Sequence, residues 1–255
     1  MPGALPGPVP GAVGGAGRVA EPGEPSVATA ARLPERAIVG AGARGDEQQQ
    51  RDRNREKRGY VPPMHELAPG IRHWTARHPK IGIEVSSYWL PALGVLIDPL
   101  DVPREVEDVN TILLTNRHHR RSCLEARERF GATVHVPQAG MQDWQGQPVE
   151  PYEPGDEFAD GAVTAYEVGA ICPDESAFHA PSVSALAVAD GVVRYEDGLS
   201  FVSDGLMDDP ENTKRGLKDA YARLTDELEF DNLLVAHGRP IAGGAREALR
   251  DFATA

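Results

Sequence analysis

The sequence predicts a domain of mixed α/β (α+β) class that follows a disordered N-terminal tail. Three observations predict this. The first 60 of the 255 residues show no apolar period. The remainder alternates short β-branched runs with amphipathic stretches of helical period. It also lacks a repeat of 20 to 50 residues, so a solenoid or a propeller is not expected.

Residues 1–60 are rich in Gly, Pro, Ala and Arg and contain no aromatic residue before Tyr60. Such a segment buries too little apolar surface to offset the entropy of ordering, so we predict that it is disordered. The folded domain is predicted at residues 64–255. Met64 lies where this domain should begin and is an alternative start of the chain.

Charge and cysteine usage restrict the partners and the compartment. The net charge is -13 and the sequence pI is about 5.1, whereas nucleic-acid binding usually requires a basic face. Cys123 and Cys172 match neither a CxxC pair nor a disulfide framework. No run approaches the ~18 apolar residues of a membrane span. We expect a cytoplasmic protein that binds a small molecule, without nucleic acid or membrane as a partner.

Short apolar runs bounded by Gly, Pro or Asp predict the strands. The first two runs predict a β-hairpin, and Asp190-Gly191 is a strong turn signal between two later runs. The predicted strands span residues 81–90, 92–99, 111–115, 133–137, 163–168, 184–188, 191–195, 199–202 and 232–236.

Three stretches predict helices. Ser122 can cap a helix that ends at Gly131, with apolar residues at three- and four-residue spacing between them. Residues 211–230 carry Leu217, Tyr221 and Leu224 on one face, which is typical of a helix that lies on a sheet. Residues 244–252 predict a closing helix.

Three landmarks in chain order resemble the metallo-β-lactamase superfamily. Residues 113–115, the His-rich loop 116–121, a helix and residues 130–136 resemble the part in which a strand delivers a His-x-His-x-Asp-His loop. Residues 201–205 resemble a later strand that ends in Gly-Asp, and residues 234–240 resemble the terminal strand that ends in His-Gly. The resemblance implies an αββα sandwich whose strand ends hold one or two divalent metals, which lower the pKa of a bound water.

The loop departs from the family pattern. Asn116 stands at the first His, Arg120 at the Asp and Arg121 at the last His, so His118 alone is kept. A guanidinium group offers no lone pair to a metal, and we therefore do not expect a dinuclear centre.

The resemblance implies a set of candidate metal ligands. Glu175 is the preferred occupant of the family's Pro-Gly-His position, with His179 as the alternative. Two structural alternatives stay open, since Asp204 can be a turn residue and residues 119–121 a solvated loop. The candidate ligands are His118, Glu175, His179, Asp204 and His237, and the further pocket candidates are Asn116, His119, Arg120 and Arg121.

Two functions follow from the resemblance. The first is a hydrolase of a small ester, thioester or related substrate that uses one divalent metal, either zinc, iron or manganese. The second is a non-catalytic, metal-free member in which Arg120 or Arg121 replaces the metal's charge and pairs with Asp204 or Glu175. That protein would bind an anionic ligand or only stabilise its fold. The sequence contains neither a Gly-x-Ser-x-Gly elbow nor a Walker-type phosphate loop.

Overall fold

A computed structural model describes residues 63–196 and 198–255. The tail predicted to be disordered lies outside the described residues. The described part forms two β-sheets with helices on the outer faces, which confirms the predicted αββα arrangement. Within these residues no helix is both long and apolar enough to cross a membrane.

The first sheet has seven strands, whose order in space equals their order in the chain. The first four strands pair in antiparallel fashion, and β4 to β7 pair in parallel. The strands are β1 (His65–Ala68), β2 (Ile71–Arg77), β3 (Glu84–Leu90), β4 (Val95–Ile97), β5 (Thr111–Leu113), β6 (Thr133–Pro137) and β7 (Glu150–Tyr152).

The second sheet has six strands in the order β13-β12-β11-β10-β9-β8. Its one parallel pair joins β11 to β12. The strands are β8 (Glu157–Phe158), β9 (Val163–Glu167), β10 (Ser176–Ala180), β11 (Ala185–Val188), β12 (Asn232–Val235) and β13 (Ile241–Ala242).

Three helices cover the outer faces. Helix α1 (Cys123–Phe130) packs on the first sheet through Cys123 and Ala126, and ends at Gly131 as predicted. Helices α2 (Pro210–Glu227) and α3 (Ala245–Thr254) pack on the second sheet. The inner faces of the two sheets share one apolar core, which includes Leu90, Leu113, Phe178 and Leu234.

The two sheets repeat one local unit. In each, a strand runs into a 3₁₀ turn that begins with proline, and the next strand pairs in parallel with a following one. The turn ends at a left-handed residue, which is Gly94 in the first unit and Ser184 in the second. The polar residues after β4, β5, β11 and β12 therefore occupy equivalent places in the two sheets.

The structure corrects several sequence-based expectations. Residues 191–195 and 199–202 were predicted as strands but form isolated bridges, which pair Val193 with Ser200 and Arg194 with Gly238. Val192 and Val193 are buried in the core although they belong to no β-strand, so their apolar character was misinterpreted as a strand pattern. Strands β1, β2, β7, β8, β10 and β13 were not predicted. In β2 and β10, the buried polar residues His73 and His179 interrupt the apolar pattern.

A close backbone approach fixes the segment after β12. Gly238 pairs with Arg194 across an isolated bridge, and the N–H of Arg239 donates to the carbonyl of Arg194. A Cβ atom on Gly238 would lie 2.0 Å from the Arg194 carbonyl oxygen. The sequence His237-Gly238 therefore joins a buried imidazole to the one residue type that this contact admits.

We expect Gly238→Ala to lower the free energy of unfolding by more than about 3 kcal/mol, because backbone atoms would have to separate. Gly131→Ala is the matched control. Its φ of +69° is also left-handed but no atom lies within 4 Å of the added Cβ, so it should cost only about 1 kcal/mol. Urea unfolding of both variants measures the difference, and equal losses would show that the contact at Gly238 is not restrictive.

Candidate metal centre

Three side chains converge at one edge of the sheets. Asp190 follows β11 and His237 follows β12, and because these strands are parallel neighbours their carboxyl ends lie side by side. His119 arrives from the loop after β5. Asp190 Oδ1 lies 2.8 Å from His237 Nε2 and 3.2 Å from His119 Nε2. The three ligand atoms all lie within 4.8 Å of one another, a spacing that could accommodate one metal ion.

Asn116 positions two members of this cluster. Its Oδ1 accepts the backbone N–H groups of His118 and His119, which caps the 3₁₀ turn Arg117–Arg120. Its Nδ2 donates to Asp190 Oδ2 at 2.9 Å. Asn116 thus orients both the His119 backbone and the Asp190 carboxylate.

Asp98, which follows β4, supports His119 from behind. This carboxylate is 2% exposed and accepts the backbone N–H of Thr115 at 2.9 Å and its hydroxyl at 2.6 Å. Its Oδ2 lies 2.8 Å from His119 Nδ1. Since an ionised carboxylate can only accept, Nδ1 carries a proton, and the ring presents Nε2 to Asp190. Metal-binding histidines are commonly held by a carboxylate in this way.

The charges of the cluster reinforce one another. Burial opposes charge on His119, but the Asp98 and Asp190 carboxylates raise its pKa to about 9. Burial likewise opposes charge on both aspartates, yet His119 holds the pKa of Asp98 below its usual value and that of Asp190 well below it. In the metal-free protein His119 is therefore a cation between two anions at neutral pH.

Arg121 adds a second cation. Its φ is +39°, a backbone conformation that non-glycine residues rarely adopt. The guanidinium Nη1 donates to the carbonyl oxygens of Ser86 at 2.5 Å and Asp98 at 2.7 Å. Nη2 is buried, and within residues 63–196 and 198–255 it has no hydrogen-bond partner. This charge disfavours a second metal ion in the cluster.

Glu175 lies next to the cluster but outside it. Its Oε1 accepts the backbone N–H of Gly191 at 2.7 Å, immediately after Asp190. Burial, with a contribution from the Asp190 charge, raises the pKa of Glu175 to about 8. Oε2 is buried and has no hydrogen-bond partner among the residues that the structure describes. Glu175 is therefore protonated at neutral pH in the metal-free protein.

The other predicted ligands lie elsewhere. His118 is exposed, because the 3₁₀ turn directs neighbouring side chains apart and buries His119 instead. The Nε2 atom of His179 lies 2.9 Å from the carbonyl oxygen of Glu229. Asp204 has a side chain that is 62% exposed and pairs with Lys214 at 2.6 Å, since it lies in a short turn rather than at a strand end. Among the described residues, the group of potential ligand atoms that contains His237 includes neither His118 nor Asp204.

The expected pairing of a loop arginine with Asp204 or Glu175 is also wrong. Arg120 is exposed, and its guanidinium lies 4.9 Å from the centre of the Trp144 ring. Arg121 approaches the Asp98 backbone instead. A different arginine forms the bonded ion pair of this loop, in which Arg117 contacts the buried carboxylate of Asp174.

Sequence reasoning missed Asp190 because Asp190-Gly191 was interpreted as a turn. The available signal was the apolar run 184–189 that precedes it, which is the same strand-end pattern that selected His237. His119 was predicted as a pocket residue, with a solvated loop as the alternative, but not as a ligand. Only the cap by Asn116 and the contact with Asp98 show that this histidine, and not its neighbour, is turned inward.

Comparisons with known proteins support the fold. No protein-family model matches the chain, and no curated protein matches its sequence. A metallo-β-lactamase from Pontibacter korlensis is 14% identical with a TM-score of 0.57, covering 76% of this chain and 99% of that one. A metallo-β-lactamase family protein from Thermus thermophilus is 19% identical with a TM-score of 0.53, covering 74% and 78%.

A third similar structure is that of a flavo di-iron protein. A variant of the flavo di-iron protein from Thermotoga maritima is 15% identical with a TM-score of 0.53, covering 76% of this chain and 61% of that one. The chain therefore has the metallo-β-lactamase fold, as the sequence resemblance implied. Because the fold is shared by lactamases and flavo di-iron proteins, the reaction has to be argued from the site.

The pKa of His119 predicts how stability depends on pH in the metal-free protein. A folded-state pKa of about 9, above the ordinary 6.5, gives a stabilisation that is complete below pH 6.5 and is lost as the pH rises through 9. Urea unfolding of chelator-treated protein between pH 6 and pH 10 should show this loss.

Asp98→Asn, which lacks one of the two carboxylates that raise this pKa, should reduce the pH-dependent loss. Glu66→Gln is the control, because Glu66 pairs with Arg72 at the surface, and it should keep the wild-type slope. Identical slopes in the wild type and Asp98→Asn would contradict the assigned charge on His119.

Proposed function

We propose that the chain is a mononuclear metal-dependent hydrolase of a small ester, thioester or related substrate. His119, Asp190 and His237 would hold the metal. The observation that carries the proposal is the convergence of two imidazole Nε2 atoms and one carboxylate oxygen within 4.8 Å. They come from three separate loops at one edge of the two sheets, and Asn116 and Asp98 orient Asp190 and His119.

The donor set fits a divalent transition metal. Two histidines and one carboxylate are the ligands of many catalytic zinc sites and of non-haem iron sites, which keep coordination positions open. The supporting shell fits as well, because Asp98 fixes the proton on His119 Nδ1 and leaves Nε2 to face the site. A divalent ion at such a site acts as a Lewis acid and makes water nucleophilic near neutral pH.

The chain's own residues prepare this site. Asp98 accepts from His119 Nδ1 and keeps the ring in one tautomer. Asn116 donates to Asp190 Oδ2 and leaves Oδ1 toward the histidines. His119 must lose its Nε2 proton before it can bind a metal, so metal uptake should release protons below pH 9. Arg121 offsets part of the carboxylate charge and supports one metal rather than two.

Neighbouring residues give a sharp test of the ligand set. We expect elemental analysis of the purified wild type to show near-stoichiometric zinc, iron or manganese. His119→Ala and Asp190→Asn should lose it. His118→Ala and Asp204→Asn, matched in residue type but outside the cluster, should retain it. Absence of bound metal and of metal uptake in the wild type would refute the proposal.

Hydrolysis is tested on the metal-loaded protein. Turnover of 4-nitrophenyl acetate or of a short acyl thioester should depend on Asp190 and His237 and should be absent from Asp190→Asn. The control Asp204→Asn should turn over these substrates at the wild-type rate. Metal binding without hydrolysis of either substrate would support the proposed metal centre but refute the proposed hydrolase reaction.

A second candidate is a non-catalytic, metal-free protein. Two observations favour it: Asp190 contacts both His119 and His237 at short range without a metal, and Arg121 supplies a fixed positive charge. Such a protein would bind an anionic ligand or use the cluster only for stability. The metal content of the wild type separates the two candidates.

The role of Arg121 as a fixed charge predicts a stability difference between adjacent arginines. Arg121→Met should lower the free energy of unfolding of the metal-free protein by about 3 kcal/mol or more. It leaves buried carbonyl oxygens without a hydrogen-bond donor and buried carboxylates without a nearby positive charge. Arg120→Met should stay within about 1 kcal/mol, since it loses only an exposed contact with Trp144. Equal effects in urea unfolding would contradict the charge role.

A further inference from the structure

An open cleft lies beside the candidate metal centre. Its volume is about 500 Å³, which suits a small-molecule ligand. The end of β2, the start of β3 and the segment after β12 form its walls. Among the residues that line it are Arg77, Ile83, Glu84, Tyr195, Gly238 and Arg239.

The cleft is joined to the cluster through Gly238. This residue directly follows His237, and its carbonyl oxygen accepts the hydroxyl of Ser86 at 3.1 Å. The backbone of Ser86 in turn bonds Ala236, which immediately precedes His237. A ligand seated in the cleft therefore lies against the backbone that holds a candidate metal ligand.

The cleft carries an apolar rim. Ile83 is 40% exposed and Tyr195 is 56% exposed, and Ile81, on the same loop as Ile83, is 57% exposed. These three belong to the four large hydrophobic side chains that are exposed among the described residues. Exposed apolar groups gathered around a concave site are typical of a ligand-binding surface.

Its charged groups favour an anion. Arg77 and Arg239 are both exposed, and across residues 63–196 and 198–255 neither forms an ion pair. Glu84 is the cross-strand neighbour of Arg77 but makes no ion pair with it. The lining thus holds two guanidinium groups against one carboxylate, in a chain whose net charge is -13. Unpaired arginines are strong recognition groups for carboxylates and phosphates.

We propose that this cleft binds the anionic end of the substrate, a carboxylate or a phosphate carried on an apolar or aromatic body. The inference rests on the proposed function, because it assigns a substrate class to that same site. Arg77 and Arg239 bind the anion, and Ile83 and Tyr195 contact the apolar body. The scissile bond then lies toward His237.

The test measures binding of small probes to the full-length protein after chelation of any metal, so that an anion–metal bond does not contribute. Benzoate and phenyl phosphate represent the two anionic classes, and benzyl alcohol is the neutral probe. Isothermal titration or ligand-observed NMR should show that one or both anions bind at least about tenfold more tightly than benzyl alcohol. The tighter anion identifies the class.

Variants assign the binding to the cleft. Arg77→Gln and Arg239→Gln should each weaken the binding of the anion by roughly tenfold, and Glu84→Gln should strengthen that binding. Arg72→Gln is the matched control on β2, because Arg72 forms an ion pair with Glu66. This variant should bind the anion as tightly as the wild type. Melting curves check that all four variants fold.

Equal binding of the anionic and neutral probes, or arginine variants that behave like Arg72→Gln, would overturn the inference. The outcome is independent of the metal test. Anion binding by a protein that takes up no metal would support the proposed role of the cleft but refute the proposed metal-dependent hydrolase. Metal uptake without anion binding would do the reverse.

Discussion

The buried carboxylate of Asp98 is the constraint on which the site depends. An ionised carboxylate at 2% exposure is stable only when hydrogen bonds and opposite charge compensate its lost hydration. The N–H and hydroxyl of Thr115 and the protonated Nδ1 of His119 provide this compensation. Because Thr115 and His119 belong to one loop, their bonds to Asp98 also fix the path of that loop across the sheet edge.

This constraint extends from one sheet to the other through a repeated unit. Asp98 follows β4 and Asp190 follows β11, and each carboxylate accepts from a residue delivered by the parallel neighbour of its own strand. The two units differ in exposure. Asp98 is buried and orients His119, whereas the Asp190 side chain is 23% exposed and lies between two histidines. The same backbone geometry thus yields one supporting carboxylate and one candidate ligand.

The sequence was most informative where a local signal coincides with the global fold. Helix α1 and strand β6 have the predicted limits, because Gly131 ends the helix and a β-branched run follows at once. Prediction failed where a residue's role is set by distant partners. Asp190 and Asp204 both precede glycine, but only the first follows a strand that pairs in parallel with β12.

The same reason explains the choice between His118 and His119. Position in the family pattern selected His118, since the pattern assumes that the loop keeps its register. In the structure, Asn116 caps a 3₁₀ turn. This turn brings His119, the histidine after His118, onto Asp98, so His119 rather than His118 faces the site.

Charge balance links the metal, the proton on His119 and the cleft. Without metal, the negative charges of Asp98 and Asp190 are matched by protonated His119 and by Arg121. A divalent ion at this site would displace the His119 proton and bring one more positive charge than it removes, so the occupied centre would carry excess positive charge. The proposed anionic substrate would restore the balance, and Arg77 and Arg239 line the cleft proposed to bind it. Arg121, whose charge would disfavour a second metal, would thus also favour an anionic ligand.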